Sequence, residues 1–134
     1  MRKAARAVSR VYDAALGQVG MNVGQLAILR AISRADAGGI ALSRLAETLV
    51  MDSTSLYRAL APLDRRGWIE VVAAERGRSK LVRLTDPGRN ATDLAAAHWE
   101  AVQMAVVDEF GVDRWAEVQA AITDLTAISV RLVG

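Results

Sequence analysis

Residues 51–68, MDSTSLYRALAPLDRRGW, concentrate groups suited to recognising a polyanion. Ser53, Thr54 and Ser55 carry hydroxyls, Tyr57 a phenol, and Arg58, Arg65 and Arg66 cations. Leu56, Ala59, Leu60 and Leu63 recur at helical spacing, so at about 100° per residue they share one face that must be buried. The opposite face then holds Thr54, Arg58, Ala61 and Arg65, flanked by Ser55 and Tyr57. Hydroxyl, phenol and methyl groups suit base edges and thymine methyls, whereas an arginine suits guanine O6 and N7 or a phosphate. With Ser53 as its cap, the first turn should also offer free backbone N–H groups and the positive end of the helix dipole, which attract phosphate. Pro62 removes a backbone hydrogen bond late in the helix, and a bend is expected there as the chain leaves for the next element.

A second cationic cluster follows. WIEVVAAE and KLVRLT are β-rich runs on either side of the polar stretch RGRS, the pattern of a β-hairpin. Arg76, Arg78 and Lys80 lie at or beside its tip, with Glu75 nearby and Arg83 further along. Alone, such a hairpin would read as ordinary solvated charge. Beside a helix–turn–helix it would read as a wing, whose tip can place an arginine in an adjacent minor groove.

The elements that must position these groups are mostly helical. ALSRLAETL, residues 41–49, makes a short helix with Leu42, Leu45, Ala46 and Leu49 inward. Three residues join it to the helix from Ser53, a helix–turn–helix whose second helix would enter the major groove N-terminal end first. Upstream, residues 3–19 place Ala4, Val8, Val11, Tyr12, Ala15, Leu16 and Val19 on one stripe, and Gly20 stops them. Asn22 can cap a helix burying Leu26, Leu29 and Ile32, which residues 33–39 break. Downstream, Thr85 is a candidate N-cap with Pro87 in the first turn of a helix reaching about Phe110. After Gly111 a last helix carries Trp115, Val118, Ile122, Leu125, Ser129 and Leu132 in alternate steps of three and four, the spacing of a helix seam. The expected fold is mainly α with a small β-hairpin, in one domain spanning 1–134.

Composition narrows the function. At 134 residues, 52% hydrophobic and 24% charged, the chain can bury a core and is not disordered. The absence of cysteine removes disulfides and thiol chemistry, and a single histidine leaves no conventional zinc site. No phosphate loop, nucleophile elbow or metal-ligand cluster occurs, and Asp108, Glu109 and Asp113 have no partners that would tune them for catalysis, so neither enzyme activity nor a cofactor is expected. No run is apolar enough to span a membrane, and MRKAARAVSR lacks a following apolar segment, so a cytoplasmic location is expected. Arginine far outnumbers lysine and alanine is abundant, as in GC-rich bacterial genomes. Residues 1–40 carry six basic and two acidic groups, residues 41–90 nine and six, and residues 91–134 two and seven. A basic front and an acidic back suit a molecule that turns one side to a polyanion.

In "GQLAILRAI", "ALSRLAETLVMDSTSLYRALAPLDRRGWIE" and "LVRLTDPGR" the chain resembles the MarR-type winged helix-turn-helix regulators. The resemblance implies a DNA-binding lobe over 22–88, dimerisation helices over 1–20 and 89–134, and a homodimer on pseudo-palindromic double-stranded DNA. Many relatives are repressors released by a small aromatic or phenolic ligand held between the lobe and the dimer helices, where Tyr12, His98 and Trp99 would lie. The residues by themselves favour the plainer reading, with Tyr12 and Trp99 as core or interface aromatics and His98 as a capped or exposed polar side chain. Relatives commonly carry Asp-x-Arg at the wing. Here Arg78 falls on the arginine, but Arg76 occupies the aspartate position, with Glu75 one residue earlier. The rival reading is a winged helix used only for protein–protein contact, which would need neither the hydroxyls and arginines of residues 53–58 nor a cationic hairpin.

Overall fold

The computed structural model describes residues 1–73 and 80–134, in two compact units, Met1–Trp99 and Glu100–Gly134. The first unit opens with α1, Arg2–Leu16, which tightens into a 3₁₀ turn, Gly17–Val19, and ends at Gly20 in the left-handed region with φ 71°. Asn22 caps α2, Val23–Ser33, through a reciprocal box. Its side chain accepts the Gln25 N–H at 2.8 Å, and Gln25 Oε1 accepts the Asn22 N–H at 3.1 Å. Asp13 of α1 takes the Val23 N–H at 2.7 Å, so α1 helps to start α2.

Helix α3, Leu42–Leu49, buries Leu42, Leu45 and Ala46. It is closed by Val50, left-handed at φ 54°, whose N–H and that of Met51 turn back to the Glu47 and Ala46 carbonyls. Residues 50–52 then lead into α4, Ser53–Arg65. The expected cap is displaced by one residue. Asp52, not Ser53, has extended backbone, and its Oδ1 accepts the Ser55 N–H at 2.8 Å, so Ser53 is already helical. Ser55 Oγ donates to Asp52 Oδ2 at 2.9 Å, and these two bonds hold the Asp52 carboxyl below the usual aspartate range. The helix runs through Pro62 to Arg65.

Strands β2, Ile69–Ala73, and β3, Lys80–Leu84, pair antiparallel with Ile69 opposite Leu84 and Val71 opposite Val82. A two-residue strand, Ile40–Ala41 (β1), pairs with the other edge of β3, giving the order β1–β3–β2 among the described residues. Two residues are too few to show a period, so the sequence, broken over residues 33–39 and read as helical from residue 41, gives no sign of this strand.

The core is one apolar cluster from every layer of this unit. Leu16, Leu26, Leu29, Leu45, Leu56, Leu63 and Val82 are fully enclosed, each favouring the folded state by roughly 1.5–3 kcal/mol. Trp68 and Ile69, just after α4, belong to the same cluster and anchor the exit of that helix. Helix α5, Asp86–Phe110, begins against that exit. The Thr85 N–H bonds to the Trp68 carbonyl at 3.0 Å. Its hydroxyl donates to the Gly67 carbonyl at 2.5 Å and accepts the Gly88 N–H at 3.1 Å, the cap expected of it. A Cβ on Gly88 would fall on the Trp68 carbonyl.

The second unit comprises the end of α5, the break at Gly111 and α6, Val112–Val133. Phe110 and Trp115 meet edge to face across the break at 6.1 Å, and the Arg114 guanidinium lies 4.4 Å over Phe110.

Gly88→Ala should lower stability by roughly 1–3 kcal/mol, the usual range for an overpacked site, or prevent folding. Gly17→Ala, where a Cβ meets open space and φ is −57°, should be neutral or slightly stabilising. Thermal unfolding of both proteins checks the contrast. The lowered carboxyl of Asp52 makes its cap fully effective above the ordinary aspartate pKa, and that contribution is lost as pH falls through the depressed value. Asp52→Asn should keep the cap and lose this acid sensitivity, whereas Asp52→Ala should unfold more readily at neutral pH. Thermal midpoints measured from pH 7 down to 3 distinguish these outcomes.

Candidate nucleic-acid interface

Helix α4 divides as its sequence demands. Leu56, Leu60 and Leu63 are buried, while Ser53, Thr54, Ser55, Tyr57, Arg58, Ala61 and Arg65 are exposed. Tyr57, at 52% exposure, is a large ring that the core does not use. The exposed set therefore forms a ridge of hydroxyl, phenol and guanidinium groups on a helix held firmly from behind.

The front of that ridge differs from the expected phosphate cradle. The Asp52 carboxylate sits at the positive end of the helix and already holds the Ser55 N–H and hydroxyl. An anion placed there opposes an approaching phosphate, and the Ser55 hydroxyl proton is engaged, leaving its oxygen as an acceptor. Base-edge contact through Thr54, Tyr57 and Arg58 is better suited to this end than phosphate capture.

The hairpin supplies the second group. Lys80 opens β3 and is exposed. Arg76 and Arg78, with Glu75, lie outside the described residues. At the hairpin's base, Arg83 and Glu70 stand opposite in register and form a bidentate pair, Nε to Oε2 at 3.2 Å and Nη2 to Oε1 at 3.0 Å. The pair lowers the Glu70 pKa and raises that of Arg83, chiefly through the hydrogen bonds and then through charge. Both side chains are about half exposed, so the pair adds little stability. Its effect is to fix a cross-strand contact and to neutralise one cation of the wing.

The three candidate ligand residues do not act together. Tyr12 is buried and stacks on Trp99 with ring centroids 5.7 Å apart, and burial pushes its phenol pKa up. Trp99 also lines a cavity of about 320 Å³ with Leu26, Leu49, Arg30 and Arg34, and the Arg30 guanidinium lies 4.7 Å over its ring. His98 is half-buried and is not among that cavity's lining residues. Arg30 of α2 and Arg34, its C-cap residue, carry no local pattern that links them to Trp99. Among the described residues, no group of three His, Asp or Glu side chains is placed to hold a metal, and no helix is long and apolar enough to cross a membrane.

Of the seam residues, Trp115 is half-buried, and Val118, Ile122, Leu125 and Leu132 are exposed by 37% to 81%. They lie on α6, none of whose residues is buried within the single chain.

Comparison with known proteins places this geometry. Residues 21–88, from the start of α2 through the beginning of α5, match the family described as Winged helix DNA-binding domain. No curated protein matches the sequence. Among solved structures, the M. tuberculosis transcriptional regulator MosR, in complex with DNA, is 32% identical, with a TM-score of 0.85 over 96% of this chain and 91% of that one. A MarR-family transcription regulator at 25% identity has a TM-score of 0.79 over 98% of this chain and 88% of its own. A mutant E. coli MarR complexed with operator DNA, 20% identical, shares the fold at a TM-score of 0.82, covering 92% of this chain and 89% of that one. The matched families are regulators and not enzymes, and this chain belongs to the winged helix DNA-binding family as a MarR-type transcriptional regulator.

Proposed function

We propose that the protein is a repressor that binds a pseudo-palindromic operator as a homodimer and releases it when a small aromatic ligand binds. The observation that carries the DNA reading is the exposed ridge of α4, where Thr54, Tyr57 and Arg58 project from a helix whose inner leucines are locked in the core. Its relative from M. tuberculosis was solved in complex with DNA, which supports DNA binding by this chain. In this reading Ser53, Thr54, Ser55, Tyr57 and Arg58 face the major groove, and Arg76, Arg78 and Lys80 form the wing.

Dimerisation is supported by the open seam of α6. Val118, Ile122 and Leu125, at 37%, 56% and 43% exposure, form an apolar stripe that a single chain leaves in water. A two-fold dimer through 1–20 and 89–134 would cover it and present two copies of α4. Release by ligand is supported by the Trp99 cavity, whose volume of about 320 Å³ suits a small ring compound. Coupling of roughly 1–3 kcal/mol between this cavity and α4 would suffice for release.

Binding-site selection from random duplexes should return an inverted repeat with half-site centres roughly 10 bp apart. A single unrepeated motif would contradict the dimeric reading, and absence of duplex binding would leave a protein-contact module. Thr54→Ala, Tyr57→Ala and Arg58→Ala should each change the preferred half-site. Arg78→Ala should weaken operator binding by roughly 1–3 kcal/mol and relax preference at flanking A·T positions, with a shallower salt dependence. Arg76→Ala should do less. Ile122→Asp combined with Leu125→Asp should give monomers or insoluble chains, as judged by sizing with light scattering.

A further inference from the structure

The two arginines ending the DNA-reading stretch look alike in sequence but are used differently. Arg65 is the last residue of α4 and is exposed, with its cation in the last helical turn. Arg66 turns away. Its Nη1 donates a hydrogen bond to the carbonyl of Gly20, 46 residues earlier, and its guanidinium lies 3.8 Å over the Trp68 ring. Gly20 belongs to the turn between α1 and α2 and has left-handed backbone, φ 71°. A Cβ there would stand 2.8 Å from Arg66 Nη2, so a glycine suits both the turn and the arginine.

Trp68 is itself a junction. Its N–H bonds to the Leu63 carbonyl at 3.1 Å, its carbonyl accepts the Thr85 N–H, and the Gly88 backbone presses on it. The Arg66 guanidinium is therefore a planar plate between the α1–α2 turn and the block joining the end of α4 to the start of α5. Its Nη1 and one face are committed within the protein, although the side chain as a whole stays exposed.

We infer that Arg66 is a positioning residue for DNA reading, a strut that sets the tilt of α4 by bracing its exit against the Gly20 carbonyl and the Trp68 ring. The inference rests on the proposed DNA-binding function. A displacement of the α1–α2 turn must break this contact or carry the end of α4 with it.

The test compares Arg66→Ala, Arg66→Lys, Arg65→Ala and Gly20→Ala in the full-length chain, using a duplex selected with the parent protein and a scrambled duplex across a salt series. Arg66→Ala should weaken operator binding roughly two- to thirtyfold, the range for residues that act through others, while the slope of log K against log salt stays at the parent value. Arg66→Lys should recover little, because an ammonium keeps the charge but not the plate. Gly20→Ala should lose affinity similarly, and the double variant should lose no more than the worse single one. Thermal unfolding without DNA should show the same non-additivity, a readout that stands even if the parent binds no duplex. A slope about one unit shallower in Arg66→Ala would make Arg66 a phosphate contact and overturn the inference. So would full rescue by lysine, unchanged operator affinity, or additive effects of the two substitutions. Failure of the parent to select any duplex would instead overturn the DNA-binding reading itself.

Discussion

Close backbone contact between Trp68 and Gly88 is the constraint on which the first unit depends. The carbonyl of one and the bare Cα of the other meet with no room for a side chain, and the Thr85 hydrogen bonds close the contact from both sides. This contact joins the exit of α4 to the root of α5. Leu56, Leu60 and Leu63 glue α4 to the core from behind, but an apolar face alone permits sliding and rotation. The backbone junction at the exit of α4 restricts that freedom, and the Asp52 cap fixes where the helix begins. What remains exposed is a ridge with a defined direction.

The division of labour among charged groups follows from the same geometry. Asp52 places an anion where phosphate capture would otherwise be favoured, so the N-terminal turn of α4 is biased toward base edges. Glu70 silences Arg83 at the base of the hairpin. Arg66 is held at the surface by Gly20 and Trp68. Cations that look interchangeable along the chain are thus sorted into those free for a polyanion, such as Arg58, and those committed within the protein. Net charge does not reveal this sorting, because it is a matter of partners rather than totals.

Much of this was legible in the sequence, for physical reasons. The repeat of Leu56, Leu60 and Leu63 fixes the helix and its buried face, because only a period near 3.6 places them together. Thr85 before Pro87 marks the start of α5 through capping chemistry, and the β-rich runs around residues 74–79 reveal the hairpin. The cap of α4 was displaced by one residue because Asp52, Ser53, Thr54 and Ser55 are all capable caps, and only backbone conformation chooses among them. The short strand Ile40–Ala41 owes its existence to a neighbour, Val82, and not to its own two residues. The roles of Arg66 and Arg30 stayed hidden because their partners, Gly20 and Trp99, are distant along the chain. Local pattern predicts elements well, but it carries no information on such long-range pairings.

The turn between α3 and α4 has a consequence of its own. Val50 is branched at Cβ yet holds a left-handed backbone, a conformation costing such residues roughly 1–2 kcal/mol. Its side chain is 62% exposed, so little packing repays that cost. A glycine or asparagine would adopt the same angles with less strain. The turn that sets the two helices against each other therefore holds unused stability. Sequence drift at position 50 can draw on it without altering any group on the ridge of α4.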